Sequence, residues 1–262
     1  MNELERIVAR GRQELAVRRA ERPFEAVHAA ALRRLDADPP RGFAAALRAP
    51  GLSVIAEHKR RSPSAGVIRE GVELEDVVSA YERGGARAVS VLTERAGFGG
   101  SLEDLARARR ATSLPLLRKD FIVDDYQVAE AAAAGADAIL LIVAALGDDE
   151  LGTLLGHAAG YGLDVLVEVH DAAELDRARA FDPPVIGVNN RDLTTLRVDL
   201  ERTFELRDRM GADTTVVSES GLRTREDIDR VAAAGIDAVL IGESLMRSAD
   251  PEGALRALLE PA

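Results

Sequence analysis

The chain has no cysteine and no tryptophan, only 3% aromatic residues and, among 262 residues, just two lysines, Lys59 and Lys119. The missing cysteine excludes disulfides, thiolate nucleophiles and cysteine-ligated metals, and it fits a reducing compartment. With so few aromatic rings, the core must be built from the Ala, Val, Leu and Ile that dominate its 47% hydrophobic content. No apolar run approaches the roughly eighteen residues needed to cross a bilayer. Positive charge is in deficit too, at a formal net charge of −11. That balance argues against nucleic acid or an anionic membrane surface as partner, so an anionic small molecule would have to be met by a local positive pocket. The first residues, MNELERIVARGRQELAVRRAERP, interleave arginine with Glu3, Glu5 and Glu14. They read as an exposed helix rather than a leader, and the protein is expected in the cytoplasm.

Of 34 Lys plus Arg, two lysines leave 32 arginines. Arginine stays charged, whereas an ε-ammonium can give up a proton, so two lysines in an arginine background stand out as proton-transfer candidates. Both follow short apolar runs, Ser53-Val54-Ile55-Ala56-Glu57 and Leu114-Pro115-Leu116-Leu117. Strand ends of this kind are where barrel enzymes hold their reactive groups.

Eight short β-branched or aliphatic runs recur, at 52–56, 88–92, 114–117, 138–143, 165–169, 185–188, 215–218 and 238–241. Segments with helical periodicity lie between them, as at 124–134 and 225–234. Alternating β and α units imply a parallel sheet, and eight of them close a barrel. An internal repeat agrees: YERGGARAVSVL at 81, AAAAGADAILLI at 131 and VAAAGIDAVLIG at 231, with HAAGYGLDVLVEV as a weaker copy. Gly85, Gly135, Gly235 and Gly162 fall where a helix ends in a left-handed residue. The expected fold is α/β, a single (β/α)8 TIM barrel covering 1–262, with residues 1–46 as extra helices near one barrel opening and 52–262 as the barrel.

Side chains alternate along a strand, so Glu57 and Lys59 share a face that looks into the barrel mouth while His58 points toward the helices. Further runs end in Lys119, in Glu168, in Asn189-Asn190-Arg191 and in Glu219-Ser220-Gly221. Opposite-charge titratable groups gathered at one rim mark a candidate active site. Ser220-Gly221 and Gly242-Glu243-Ser244 are small, and each is followed by a helical segment, as in phosphate-binding barrels. The four histidines, His28, His58, His157 and His170, show no ligand spacing. No metal is expected.

The segments IAEHKRRSPSAG at 55, SVLTERAGFGGSLEDL at 90, PLLRKDFIVDDYQ at 115, DVLVEVH at 164, IGVNNRDL at 186, VSESGLRTREDI at 217 and AVLIGESLMR at 238 carry a resemblance over about two hundred residues. Together they resemble the indole-3-glycerol phosphate synthase family, a carboxy-lyase family of tryptophan biosynthesis. The resemblance implies a substrate, 1-(2-carboxyphenylamino)-1-deoxyribulose 5-phosphate, converted to indole-3-glycerol phosphate with loss of carbon dioxide and water. It implies Lys119 as acid, Glu168 as base with Glu57 as helper, and Lys59 as a cation for the carboxylate or phosphate and a second proton source. Asn189 and Arg191 would hold the carboxylate-bearing ring and Glu219 the ribulose hydroxyls, with Phe98 and Phe121 as an apolar wall. Phosphate would rest on Ser220, Gly221, Gly242 and the amide of Glu243, with Ser62 nearby. No cofactor is implied. A monomer is expected, with a dimer left open. His58, Ala65 and Gly97 depart from the family pattern without removing a reacting group. Two alternatives stand beside this reading. A related isomerase, phosphoribosylanthranilate isomerase, expects a cysteine base that is missing here, and a non-catalytic phosphometabolite-binding barrel would have no use for Lys119 or Glu168.

Overall fold

The computed structural model describes residues 3–63, 65–192 and 197–260. Eight parallel strands close a barrel: β1 (Ser53–His58), β4 (Ala88–Leu92), β5 (Leu116–Lys119), β6 (Ala138–Ile142), β7 (Asp164–Val169), β8 (Val185–Asn189), β9 (Thr215–Glu219) and β10 (Ala238–Ile241). The remaining pair, β2 (Arg61–Ser62) and β3 (Gly66–Val67), form an antiparallel hairpin in the loop after β1. Helices follow the barrel strands, so the alternation read from the sequence is the observed architecture. Among the described residues no helix is long and apolar enough to cross a membrane.

Inward side chains build the barrel interior in layers. Ile55, Ala88, Leu117, Leu140, Leu166, Val185, Val217 and Leu240 pack into one cluster inside the sheet, while Val54, Val89, Leu116 and Val167 face the helical ring. Above that apolar floor the same alternation delivers Glu57, Lys119, Glu168, Asn189 and Glu219 to the carboxyl ends of the strands. Register aligns them, with Glu168 opposite Gly187 and Asn189 opposite Glu219.

The repeat has a structural purpose beyond its glycines. Gly85, Gly135, Gly162 and Gly235 all adopt positive φ, which turns each helix end into the next strand. Two residues on, the Asp137 carboxylate accepts a hydrogen bond from Leu116 N at 2.7 Å and Asp237 accepts one from Val216 N at 2.8 Å. Each aspartate thereby pins the start of the neighbouring strand.

Strand boundaries differ from the apolar runs in a consistent way. β5 starts at Leu116 rather than 114, because Pro115 has no N–H to give the ladder. β1, β5, β8 and β9 all continue through polar residues at their carboxyl ends, which apolar runs alone cannot reveal.

The amino-terminal helices α1 (Glu3–Glu21), α2 (Phe24–Ala37) and α3 (Phe43–Leu47) do not gather at one opening. Phe43 and Leu47 of α3 plug the floor of the barrel, fully buried among its inward side chains. Leu4 and Ile7 of α1 line the cavity at the opposite mouth. Nor is α1 simply exposed: Leu4, Ile7 and Leu15 are buried, and its arginines anchor it by pairs such as Arg10 with Glu94 at 3.2 Å and Arg18 with Glu130 at 2.9 Å. The charge-rich composition of α1 masks this apolar stripe.

Candidate active site

A cavity of about 420 Å³ opens at the carboxyl ends of the strands. Glu57, Lys59, Ser62, Phe98, Lys119, Phe121, Glu168, Asn189, Arg191, Glu219, Ser220, Gly221, Gly242 and Glu243 all line it. The structure therefore brings every site residue singled out from the sequence to one place. His58 lies outside it, buried behind β1, where burial and the nearby Arg60 push its imidazole down to about 4.

Lys119 is the hub. Its Nζ lies 3.3 Å from Glu168 Oε2 and 3.1 Å from Glu219 Oε2. Burial opposes its charge, yet Glu219, Glu168 and Glu57 outweigh that cost and hold the ammonium well above the ordinary lysine range. Lys59 forms a separate pair with Glu57 at 2.7 Å. Burial likewise favours a protonated Glu57, and Lys59 with Lys119 overcomes it, so that carboxyl sits below its usual range.

The two carboxylates beside Lys119 are unlike each other. Glu168 Oε1 accepts from Asn189 Nδ2 at 3.1 Å and faces His170 Nε2 at 3.3 Å. Although burial would raise it, Lys119, His170 and Asn189 together hold Glu168 well below the carboxylate range. Among the described residues Glu219 pairs with Lys119 alone, and burial pushes it up to about 7. Unequal surroundings thus separate two neighbouring carboxyls into a fixed anion and a group that titrates near neutrality.

Asn189 is itself positioned: its Oδ1 accepts from Ser220 Oγ at 2.9 Å and from Arg191 N at 3.1 Å. Asn190 points away from the cavity, donating to Ser218 Oγ on β9 at 3.0 Å and accepting from Thr203 Oγ1, in the helix that follows β8, at 2.7 Å. Phe98 and Phe121 face each other with ring centroids 6.4 Å apart, forming the apolar wall.

The glycine-rich turns differ in detail from the sequence expectation. After β9, Ser220 and Gly221 both adopt positive φ, and the helix α10 (Arg225–Ala233) begins four residues later. Its first-turn Asp227 amide is already taken by the Thr224 side chain. Of these two turns, the one at Gly242 runs directly into a helix, the short α11 (Glu243–Arg247). A Cβ at Gly242 would fall 2.5 Å from Glu57 Oε1, so this glycine also makes room for a buried carboxylate.

Several lining residues were not singled out from the sequence, and four of them stand out. Leu4 and Ile7 reach the cavity from α1, and Arg223 and Arg247 stand at its rim. The i, i+3 spacing of Leu4 and Ile7 was the available signal. Nothing distinguished those two arginines from the other thirty.

Comparison with known proteins follows the same direction. Residues 4–258 match the family model described as indole-3-glycerol phosphate synthase. Indole-3-glycerol phosphate synthase 2 of Streptomyces coelicolor is 52% identical over 223 residues, 85% of this chain and 86% of that protein. Indole-3-glycerol phosphate synthase of Variovorax paradoxus is 46% identical over 268 residues, 98% of each chain. Among solved structures, a thiamine phosphate pyrophosphorylase from Pyrococcus furiosus superposes with a TM-score of 0.60 at 19% identity, covering 79% of this chain and 94% of that one. At that identity the likeness speaks for the barrel fold alone.

Proposed function

Because the chain belongs to the indole-3-glycerol phosphate synthase family, we propose that its rim converts 1-(2-carboxyphenylamino)-1-deoxyribulose 5-phosphate by proton transfer among Lys119, Glu168 and their neighbours. The observation that carries this reading is the lysine held between two unequal carboxylates at the cavity floor.

Ring closure begins when the aromatic carbon bearing the carboxylate attacks the ketone. Negative charge grows on the ketone oxygen, and Lys119 donates a proton to it. Carboxylates on both sides keep that lysine loaded in the free enzyme, and it yields its proton only as the oxygen's basicity rises. Loss of carbon dioxide restores the aromatic ring. The new hydroxyl then leaves as water, protonated by Lys59 or by the reloaded Lys119, while Glu168 removes the proton that completes the indole. Glu57 keeps Lys59 charged and in place.

Arg191 and Asn189 supply donors for the anthranilate carboxylate, and Glu219 accepts from ribulose hydroxyls. Phosphate is held by Ser220, Gly221, Gly242 and the Glu243 amide, with Ser62 across the mouth. Phe98 and Phe121 wall off water around the ring. Every one of these groups comes from a single chain. We take the enzyme to act as a monomer in the cytoplasm, consistent with its cysteine-free composition.

The test is direct turnover. Purified protein given the synthetic substrate should produce indole fluorescence, with one carbon dioxide released per indole formed. Binding without fluorescence change would leave a phosphometabolite-binding barrel instead.

A further inference from the structure

His170 stands one position beyond β7, and its side chain lies behind Glu168 rather than along the cavity. Its Nε2 is 3.3 Å from Glu168 Oε1, and its Nδ1 is 3.0 Å from Glu174 Oε2. A neutral imidazole has one N–H and one lone pair, so it would set a lone pair against one of these carboxylates. Nδ1 is hydrogen-bonded to Glu174, whereas Nε2 has no hydrogen-bond partner among the described residues and meets Glu168 at 3.3 Å as an ion pair. Two carboxylates against one ring favour the imidazolium, and they push it up to about 10 against the opposing effect of burial.

The ring is held from behind. Glu174 Oε2 also accepts the His170 backbone N–H at 2.8 Å, and Glu174 is fixed in the first turn of α8 (Ala172–Arg179), where Asp171 caps its own N–H at 2.9 Å. Swinging the Glu174 carboxylate away would break its bonds to both the His170 backbone N–H and the ring.

The charges facing Glu168 are few and can be followed through the reaction. Glu57 on β1 and Glu219 on β9 are acidic, Lys119 on β5 is basic, Asn189 on β8 is neutral, and His170 continues β7. When Lys119 gives its proton to the substrate, Glu168 loses one of the two cations beside it before its own turn as base. Asn189 supplies a dipole but no charge. We propose that His170, locked by Glu174, is a positioning residue that keeps Glu168 ionised after Lys119 has passed on its proton. This inference rests on the reading of Glu168 as the base.

The pH profile of turnover tests it. His170→Asn keeps a hydrogen-bond donor and removes the charge, so the Glu168 carboxyl rises and its base form is lost at a higher pH. One lost cation in direct contact moves a carboxylate by on the order of one pH unit. The acid limb of the kcat profile should shift upward by about that much, so that kcat at any pH on the limb falls on the order of tenfold while KM is nearly unchanged. Glu174→Gln should move the limb the same way by less, and the double variant should match His170→Asn alone, since Glu174 acts through the ring. An unmoved limb overturns the proposal. Independently of activity, ¹⁵N NMR of the wild-type enzyme, with only four histidines to assign, should show His170 protonated on both nitrogens at pH 8. A neutral ring there overturns the proposal even where the variants fold poorly. Glu168→Gln separates the two claims: near-normal turnover sinks the base assignment, whereas lost turnover with an unmoved His170→Asn limb sinks only the role of His170.

Discussion

Small residues set the geometry of the charged ones. Gly187 sits on β8 directly beneath Glu219, and a Cβ there would fall 2.2 Å from Glu219 Oε1 and 3.1 Å from Leu166 Cδ1. Leu166 and Leu240 close the layer below, so the carboxylate could be displaced only toward the cavity. Gly187→Ala should push Glu219 off Lys119 and lower kcat by on the order of tenfold or more, since displacements of about 1 Å at a reacting group carry such costs. Steady-state kinetics would show it, and an unchanged kcat would mean that Glu219 is not held where Lys119 needs it. Legibility at this scale was uneven. The lysines stood out because arginine replaces lysine everywhere else, and the glutamates because strand alternation assigns a face. His170 was visible only as a histidine without ligand spacing, since its partners lie two residues before it and one helical turn after it in an order no metal motif uses. Gly187 and Gly242 carried no mark of the carboxylates they accommodate, because a steric requirement for absence leaves nothing to read.

Among the elements, α1 has the most unexpected position. Its Leu4 and Ile7 are buried against the mouth of the cavity, and its arginines clip it to the loops and helices around the rim. The double variant Leu4→Ala with Ile7→Ala removes apolar cover without touching a charged group. Ground-state and transition-state contacts would weaken together, so KM should rise by on the order of tenfold while kcat changes much less. A KM within twofold of wild type would show that α1 covers the site without contributing to it. The barrel elements were legible because eight apolar runs and four helix-ending glycines repeat on one pattern. The placement of the three leading helices was not, because the order of helices in a chain does not say which end of a barrel each will cover. Charge interleaved through α1 disguised its buried stripe, and the polar strand ends fell outside every apolar run.

The whole molecule divides its labour between two faces. At the floor, Asp137 is fully buried and accepts from Arg109 Nη1 at 2.6 Å, from Arg41 N at 2.7 Å and from Leu116 N at 2.7 Å. Removing it takes one of two carboxylates from the buried Arg109 guanidinium, which keeps Asp38, and leaves two amides without their acceptor, a loss of about 3 kcal/mol. For a chain of this size Asp137→Ala should therefore lower Tm by on the order of 10 °C while leaving kcat of the folded enzyme nearly intact. Calorimetry beside kinetics would check it, and a kcat that fell in step with Tm would break the separation of stability from chemistry. Lys119→Arg is the mirror case. It keeps the positive charge between Glu168 and Glu219, so the fold and substrate binding should survive, but a guanidinium does not part with its proton near neutral pH. The decisive measurement is the turnover of Lys119→Arg, followed by indole fluorescence with Tm and substrate affinity recorded on the same sample. A fall in kcat of about a hundredfold or more at unchanged Tm and affinity is the expected result. Turnover close to wild type would contradict the assignment of Lys119 as the acid.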